Sequence, residues 1–449
     1  MRRSWNAAMC CAVLGSLVAL SGAARAAAGE PGLASPGAPG PASSGPGEQT
    51  TATAREATFA RDVLPILQRS CQRCHRPGTG APMSLLTYEE ARPWARAIKD
   101  RVVTRQMPPW HLDRSIGEYT ADPSLSDAEI ATIAAWVDGG APRGNPADAP
   151  PPIELADLDD WRIGTPEWIV ELPEEQTVGA VDADRWLNIW ADSRLTEDRY
   201  IKAVETKPSP GAYPVVHHVA TSMLWENEDG EEGGGFLNEY AMGKNGDIFP
   251  DGTGRLIRAG TQIRFNMHYS SVGEEIRDRT RVGFQFYPPG HVPERVLISR
   301  HVGDSFDTLD VRAGEDNARS DGYYVLPEPT QVTGFQPHMH IRGKRMCVEA
   351  IRPSGAIETL SCTGHNFGWH IVYNYADHEA PLLPAGTILH VIGWHDNTAA
   401  NRYNPDPKNW VGFGNRSIDD MSFAWMSFFH MPEDEYERRL EARAQSTND

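Results

Sequence analysis

The sequence predicts a mixed chain, a small all-α domain followed by two all-β sandwich domains. Three observations carry that prediction. Helical apolar spacing with capping signals is confined to residues 56–143. From about residue 161, short β-rich runs such as EWIVEL, RVGFQFYP and TILHVIGW alternate with Pro, Gly, Asn and Asp turns. The chain has 449 residues, too many for one ordinary domain, and the roughly 270 residues from 161 to 433 exceed a single sandwich.

The N-terminus reads as a secretory signal. Arg2 and Arg3 supply a positive start, AAMCCAVLGSLVAL an apolar stretch too short for a confident bilayer span, and AARAAAG small residues for cleavage after Ala26 or Ala28. Cys10 and Cys11 leave with that segment, taken as 1–26, so the mature protein is expected in the periplasm or secreted, with no membrane span. Residues 27–55, rich in Ala, Gly, Pro and Ser, cannot bury a core and read as a flexible tether. A formal charge of −19 repels phosphate backbones and argues against a nucleic-acid partner. Apolar and charged fractions of 40% and 23% are those of a globular protein.

Within 56–143, Phe59, Val63, Ile66 and Leu67 follow helical spacing. A second helix is expected over about 127–138. Ser126 and Glu129 form a capping-box pattern, Ile130, Ile133, Ala134 and Val137 a stripe, and Gly139-Gly140 a stop. Directly after the first helix comes CQRCH, the C-x-x-C-H haem-attachment signature. Cys71 and Cys74 would form thioethers to one covalent haem c, and His75 would be its proximal ligand. No second CxxC follows to complete a zinc site, and a redox pair has no need of His75. This domain therefore reads as a c-type cytochrome. Met107, in RQMPPW ahead of the last helix of this domain, is the favoured sixth ligand, and a thioether there would raise the haem potential; Met83 and His111 are its rivals.

Residues 144–160 read as a linker, 161–307 and 308–433 as the two sandwiches, and 434–449 as a charged tail. GFQPHMHIRGKRM, at 334–346, holds His338 and His340. Residues i and i+2 of a strand share a face, so both imidazoles can reach one metal while Met339 points away. His217 and His218 are neighbours, which a regular strand would splay apart; they can share a metal only at a strand end or bulge, or through different ring nitrogens. His268 lies in RFNMHYSSVG and Met421 in SIDDMSFAWM.

In this order, His-His, H-Y, H-x-H and acidic-acidic-Met, the motifs of residues 161–433 resemble the copper type II, ascorbate-dependent monooxygenases, the family of the peptidylglycine α-hydroxylating and dopamine β-type enzymes. WHDNTAANRYNPDP at 394–407 resembles a further segment of bacterial members. The resemblance implies two jelly-roll-like sandwiches, each holding one of two copper ions. His217, His218 and His268 match the all-histidine site. His338, His340 and Met421 match the site where oxygen and substrate react. A thioether favours Cu(I) and is a poor zinc ligand, and a blue-copper site would need a Cys thiolate. Cys347 and Cys362 flank the PSG turn at 353–355 and face each other across a hairpin, so an exported protein would join them.

The chain departs from the animal enzymes in its few cysteines and its haem domain. It is expected to hydroxylate a C–H bond of a small organic substrate with O2, the haem relaying electrons to copper from an external donor. The alternative is a non-enzymatic copper and haem protein for electron transfer or copper handling. Arg342 and Lys344 share strand parity with His338 and His340, so Arg342 is expected either to orient a substrate or to form a surface ion pair. His365, His370, His378 and His395 read as ordinary surface or core histidines.

Overall fold

The computed structural model describes residues 56–446, apart from 80, 158, 227–231, 242–243, 245 and 304–307; the expected signal segment and tether lie outside the described residues. Helices are confined to the first part and the C-terminus, and β-sheets form the rest.

The first helix opens as one π-wound turn, Phe59–Val63, and continues through Leu64–Ser70. Tyr88–Ala91, Ala95–Val103 and Asp127–Asp138 follow. The expected capping box forms: the Ser126 hydroxyl accepts from the Glu129 amide at 3.2 Å, and the Glu129 carboxylate accepts from the Ser126 amide at 2.8 Å. A second box, Thr87 with Glu90, starts the Tyr88–Ala91 turn. Phe59, Val63, Leu67, Ile133 and Trp136 fill this core. Of the expected stripe only Ile133 is fully covered, while Trp136 carries the burial, its indole NH donating to the Pro142 carbonyl.

Between Asp160 and Leu297 two sheets face each other. One runs in the order 168–171, 281–286, 199–207, 253–257 and 295–296, the other 185–192, 262–269, 216–226 and 232–241. Val170, Ile201 and Val204 from the first meet Val219, Phe265 and Met267 from the second. A second sandwich repeats the scheme: 298–303, 422–430, 330–339 and 373–374 form one sheet, and 316–325, 388–396, 343–351 and 357–364 the other. Val332, Phe335, Met426 and Phe428 pack there against Val348, Ala350, Leu389 and Val391. Cys347 and Cys362 are register partners on adjacent strands and are disulfide-bonded, as their placement about the turn implies.

Three boundaries need correction. The strand Ile298–Gly303, expected in the first sandwich, pairs with Ser422–His430 of the second; the division falls near 297, because a strand belongs with the ladder that satisfies its backbone. The expected charged tail is the helix Glu433–Ser446, whose Tyr436 packs with Leu297, Leu382, Phe429 and Met431. Most of its charges face solvent, but Glu435 accepts from Arg295 Nε at 3.0 Å and Arg439 donates to Gln331 at 2.6 Å, so polar pairs dock it beside the one apolar contact. Residues 108–122, read as part of the helical domain, join the second sandwich: Leu112 lies in its core with Trp110 and Tyr119 against it. The Asp113 amide donates to the Cys362 carbonyl at 2.8 Å, and the Thr120 amide to the Asn374 carbonyl at 2.8 Å.

Two facing histidine groups

Val216–Glu226 pairs with Gln262–Tyr269, and the register slips between Val216 and His218. Val216 faces Tyr269 and His218 faces His268, which leaves His217 as the bulged residue. The bulge removes the splay that regular pleating would impose on neighbouring histidines. His217, His218 and His268 bring ring nitrogens within 4.8 Å of one another, and the Nδ1 atoms of His217 and His218 stand 3.1 Å apart. His268 donates its Nε2–H to Asp184 at 3.1 Å, and its Nδ1 is buried without a hydrogen-bond partner. An orphaned ring nitrogen beside two others, with the far nitrogen held by a carboxylate, suits a metal-binding imidazole. Trp186 stacks on His268 with centroids 3.8 Å apart. Burial, reinforced by the neighbouring imidazoles, pushes His217 down to about 4 and His218 well below its ordinary value. These imidazoles are therefore neutral, the form that binds metal.

His338 lies near the end of Thr330–Met339 and His340 one residue past it, with ring centroids 5.4 Å apart. His340 donates Nδ1–H to the Asp419 carbonyl at 3.2 Å, which leaves Nε2 for a ligand. Met421 precedes Ser422, and Ser422 is the register partner of Met339; His338, His340 and Met421 thus lie at one end of a strand pair. The acidic pair before Met421 builds this corner. The carboxylate of fully buried Asp420 accepts from the amides of His340 at 2.9 Å, Arg342 at 3.3 Å and Met421 at 2.9 Å, and lies 3.4 Å from His395 Nε2.

Arg342 has neither expected role. The strand ends at Met339, so parity with His338 is lost at the turn. The guanidinium, 2% exposed, donates to Asn397 Oδ1 at 2.9 Å and the Ile418 carbonyl at 2.8 Å. It braces the loop before Met421. Lys344 turns outward to Asp316 and Asn317.

In the helical part, His75 donates Nδ1–H to the Met83 carbonyl at 3.2 Å, leaving Nε2 free. Cys71 and Cys74 are not joined to each other. Met107 and His111 line one cavity of about 250 Å³ with Val102, Leu125 and Ile130, and His111 Nε2 is buried without a partner. Met107 also borders a larger cavity, about 570 Å³, with His365, Phe367 and Trp369.

Of the four histidines read as ordinary surface or core residues, His378 is a surface one, bonding exposed to Glu118, and His395 a core one, buried against Asp420. His365 is half-buried, with its Nε2 covered and unpartnered. His370 is placed between the two histidine groups, 5.4 Å from His218 and 5.7 Å from His338 by ring centroids.

No family model matches the chain, and no curated protein does. Among solved structures, one of PNGF-II aligns with 58% of this chain and 65% of its own, just under two thirds, at 10% identity and a TM-score of 0.26. A CBM22-1-CBM22-2 tandem from Paenibacillus barcinonensis Xyn10C covers 62% of this chain and 99% of its own at 7% identity and 0.17. A fucolectin from striped bass (Morone saxatilis) serum covers 57% and 86% at 8% and 0.17. Likenesses this weak carry no functional argument.

Proposed function

We propose that the chain is an exported, haem- and copper-dependent monooxygenase that hydroxylates a small organic substrate. The observation that carries this reading is the bulge that gathers His217, His218 and His268, with His338 across the single ring of His370 from His218 and His340 beside His338. The donor sets suit copper: imidazoles serve both its oxidation states, and the Met421 thioether favours Cu(I). Two copper ions would supply one electron each to a reaction that consumes two, R–H + O2 + 2e⁻ + 2H⁺ → R–OH + H2O.

The chain's own residues prepare these sites. Burial keeps His217 and His218 neutral and open to metal. Asp184 and the Asp419 carbonyl fix which nitrogen of His268 and His340 stays free. Trp186 covers the first group, and the Asp420 carboxylate ties the backbones of His340 and Met421.

The haem fits residues 71–75 on similar grounds. The Met83 carbonyl holds His75 Nδ1, as a proximal histidine requires. With the Met83 carbonyl engaged by the imidazole, Met107 and His111 are the side chains that would offer the haem a second ligand. The segment from Met107 to Thr120 runs onto the second sandwich and ties the two parts together.

The test is metal analysis with oxygen uptake, on protein made in a host that matures c-type haem. One covalent haem and two copper ions per chain are expected, with substrate-dependent O2 consumption across a panel of small C–H substrates. Stoichiometric copper without turnover on any substrate would favour electron transfer or copper handling; absence of copper would sink both readings.

A further inference from the structure

The segment His365–His370 enters the interval between the two histidine groups. Its Phe367 ring lies 6.5 Å from His217 and 5.9 Å from His340, and its His370 ring reaches His218 and His338. One imidazole therefore touches a ring from each sandwich. What holds it there comes from the other sandwich. Glu239, on the strand Glu232–Ala241 of the first sandwich, sits opposite Ala220 and is 5% exposed. Its Oε1 accepts from His370 Nδ1 at 3.2 Å, and its Oε2 accepts from Gln336 Nε2. Gln336 is two residues before His338, so the two share a strand face. Lys244 completes the group, 3.5 Å from Gln336 Oε1.

A carboxylate so covered is costly unless every oxygen is partnered. Burial alone would push the Glu239 carboxyl up, but His370 beside it and Lys244 nearby hold it well below the usual range. Among the described residues, both hydrogen-bond partners of this anion, His370 and Gln336, belong to the second sandwich. Separating the sandwiches would strip them away, so the carboxylate penalises any opening between the two histidine groups.

We propose that Glu239, His370 and Gln336 form an interdomain latch that sets the spacing of the two proposed copper sites, with His370 as a positioning residue filling the gap between them. The latch deepens the copper reading, but its first test needs no metal. With His370 Nδ1 on Glu239, the ring is held in contact with His218 on one side and His338 on the other.

The experiment compares the full-length protein with His370→Ala and His370→Gln, the latter keeping a donor for Glu239. Spin labels at exposed Val181 and Ile357, one on each sandwich, report their separation in metal-free protein by pulsed dipolar spectroscopy. A narrow distribution is expected for the parent and for His370→Gln, and a longer, broader one for His370→Ala. An unchanged distribution in His370→Ala would overturn the latch, as would equal broadening in His370→Gln. If His370→Ala does not fold, His370→Gln against the parent still decides, because loss of the narrow distribution there removes the role assigned to the donor. Copper titration of the same samples tests the metal reading separately. Two copper ions in His370→Ala with a wider copper–copper separation fit the latch; no copper in the parent would refute the metal reading while leaving the label result to judge the latch.

Discussion

At the scale of single residues, Asp420 shows how a motif serves a site without belonging to it. Its buried carboxylate accepts from three backbone amides and faces His395. Replacing it with alanine strands those donors, and breaking a buried, charge-assisted network of this kind costs about 3–5 kcal/mol. Asp420→Ala should therefore lower the denaturant midpoint sharply at unchanged slope. In whatever fraction folds, it should weaken copper at His338 and His340 while sparing His217, His218 and His268. A stability loss below about 1 kcal/mol would show the carboxylate to be dispensable. Met421→Leu is a milder change. It preserves volume, so the fold should hold, and it removes the soft donor, so Cu(I) affinity should fall more than Cu(II) affinity. Competition titrations with chelators in both oxidation states measure that difference; equal affinities would place Met421 outside the site.

Among the elements, the bulge and the strand end did what pattern reading allowed but did not choose. Alternation places His338 and His340 on one face, yet it also assigned Arg342 to that face, because nothing in FQPHMHIRG marks Met339 as the last strand residue. The adjacency of His217 and His218 demanded an irregularity, and the register shift after Val216 supplies it. The second sandwich depends on a closer contact still. A Cβ at Gly322, on Asp316–Val325, would meet the backbone of Gly303 on the facing sheet, where no flexible side chain can yield. Gly322→Ala should cost about 1–3 kcal/mol of overpacking strain. Thermal unfolding would register it as a lower midpoint, and a neutral result would mean that the strands part more easily than their packing implies. The helix Glu433–Ser446 teaches the converse lesson: a charged sequence was read as a tail, and buried Tyr436 docks it together with Glu435 on Arg295 and Arg439 on Gln331.

For the whole molecule, the linker joins the helical part to the first sandwich, while direct contacts tie it to the second. Leu112, Trp110 and Tyr119 sit in or against that core, and backbone hydrogen bonds join 111–120 to 362–374. Burying side chains of this size contributes about 1.5–3 kcal/mol each, before the entropy of association. A protease nick near Pro150 should thus leave two fragments that co-elute and separate only in denaturant. If the haem feeds copper, the nicked protein should also keep its turnover with the physiological class of donor. Stopped-flow mixing of fully reduced protein with oxygen and substrate should show ferrous haem oxidised within one turnover. A haem that stays reduced through many turnovers would remove it from the electron route.

The sequence by itself determined the order of the parts, the helical start and the β remainder. It also determined the capping box at Ser126, the Cys347–Cys362 pairing and the residues of both histidine groups. Each rests on spacing within a few residues or on one turn, where local geometry leaves few choices. Only the tertiary structure decided that Ile298–Gly303 belongs to the second sandwich, that residues 108–122 enter its core, and that His370 stands between the groups on Glu239. Those outcomes depend on which distant surfaces meet. Glu239 and His370 are 131 positions apart, and neither residue's neighbours in sequence record the partner that makes its burial tolerable.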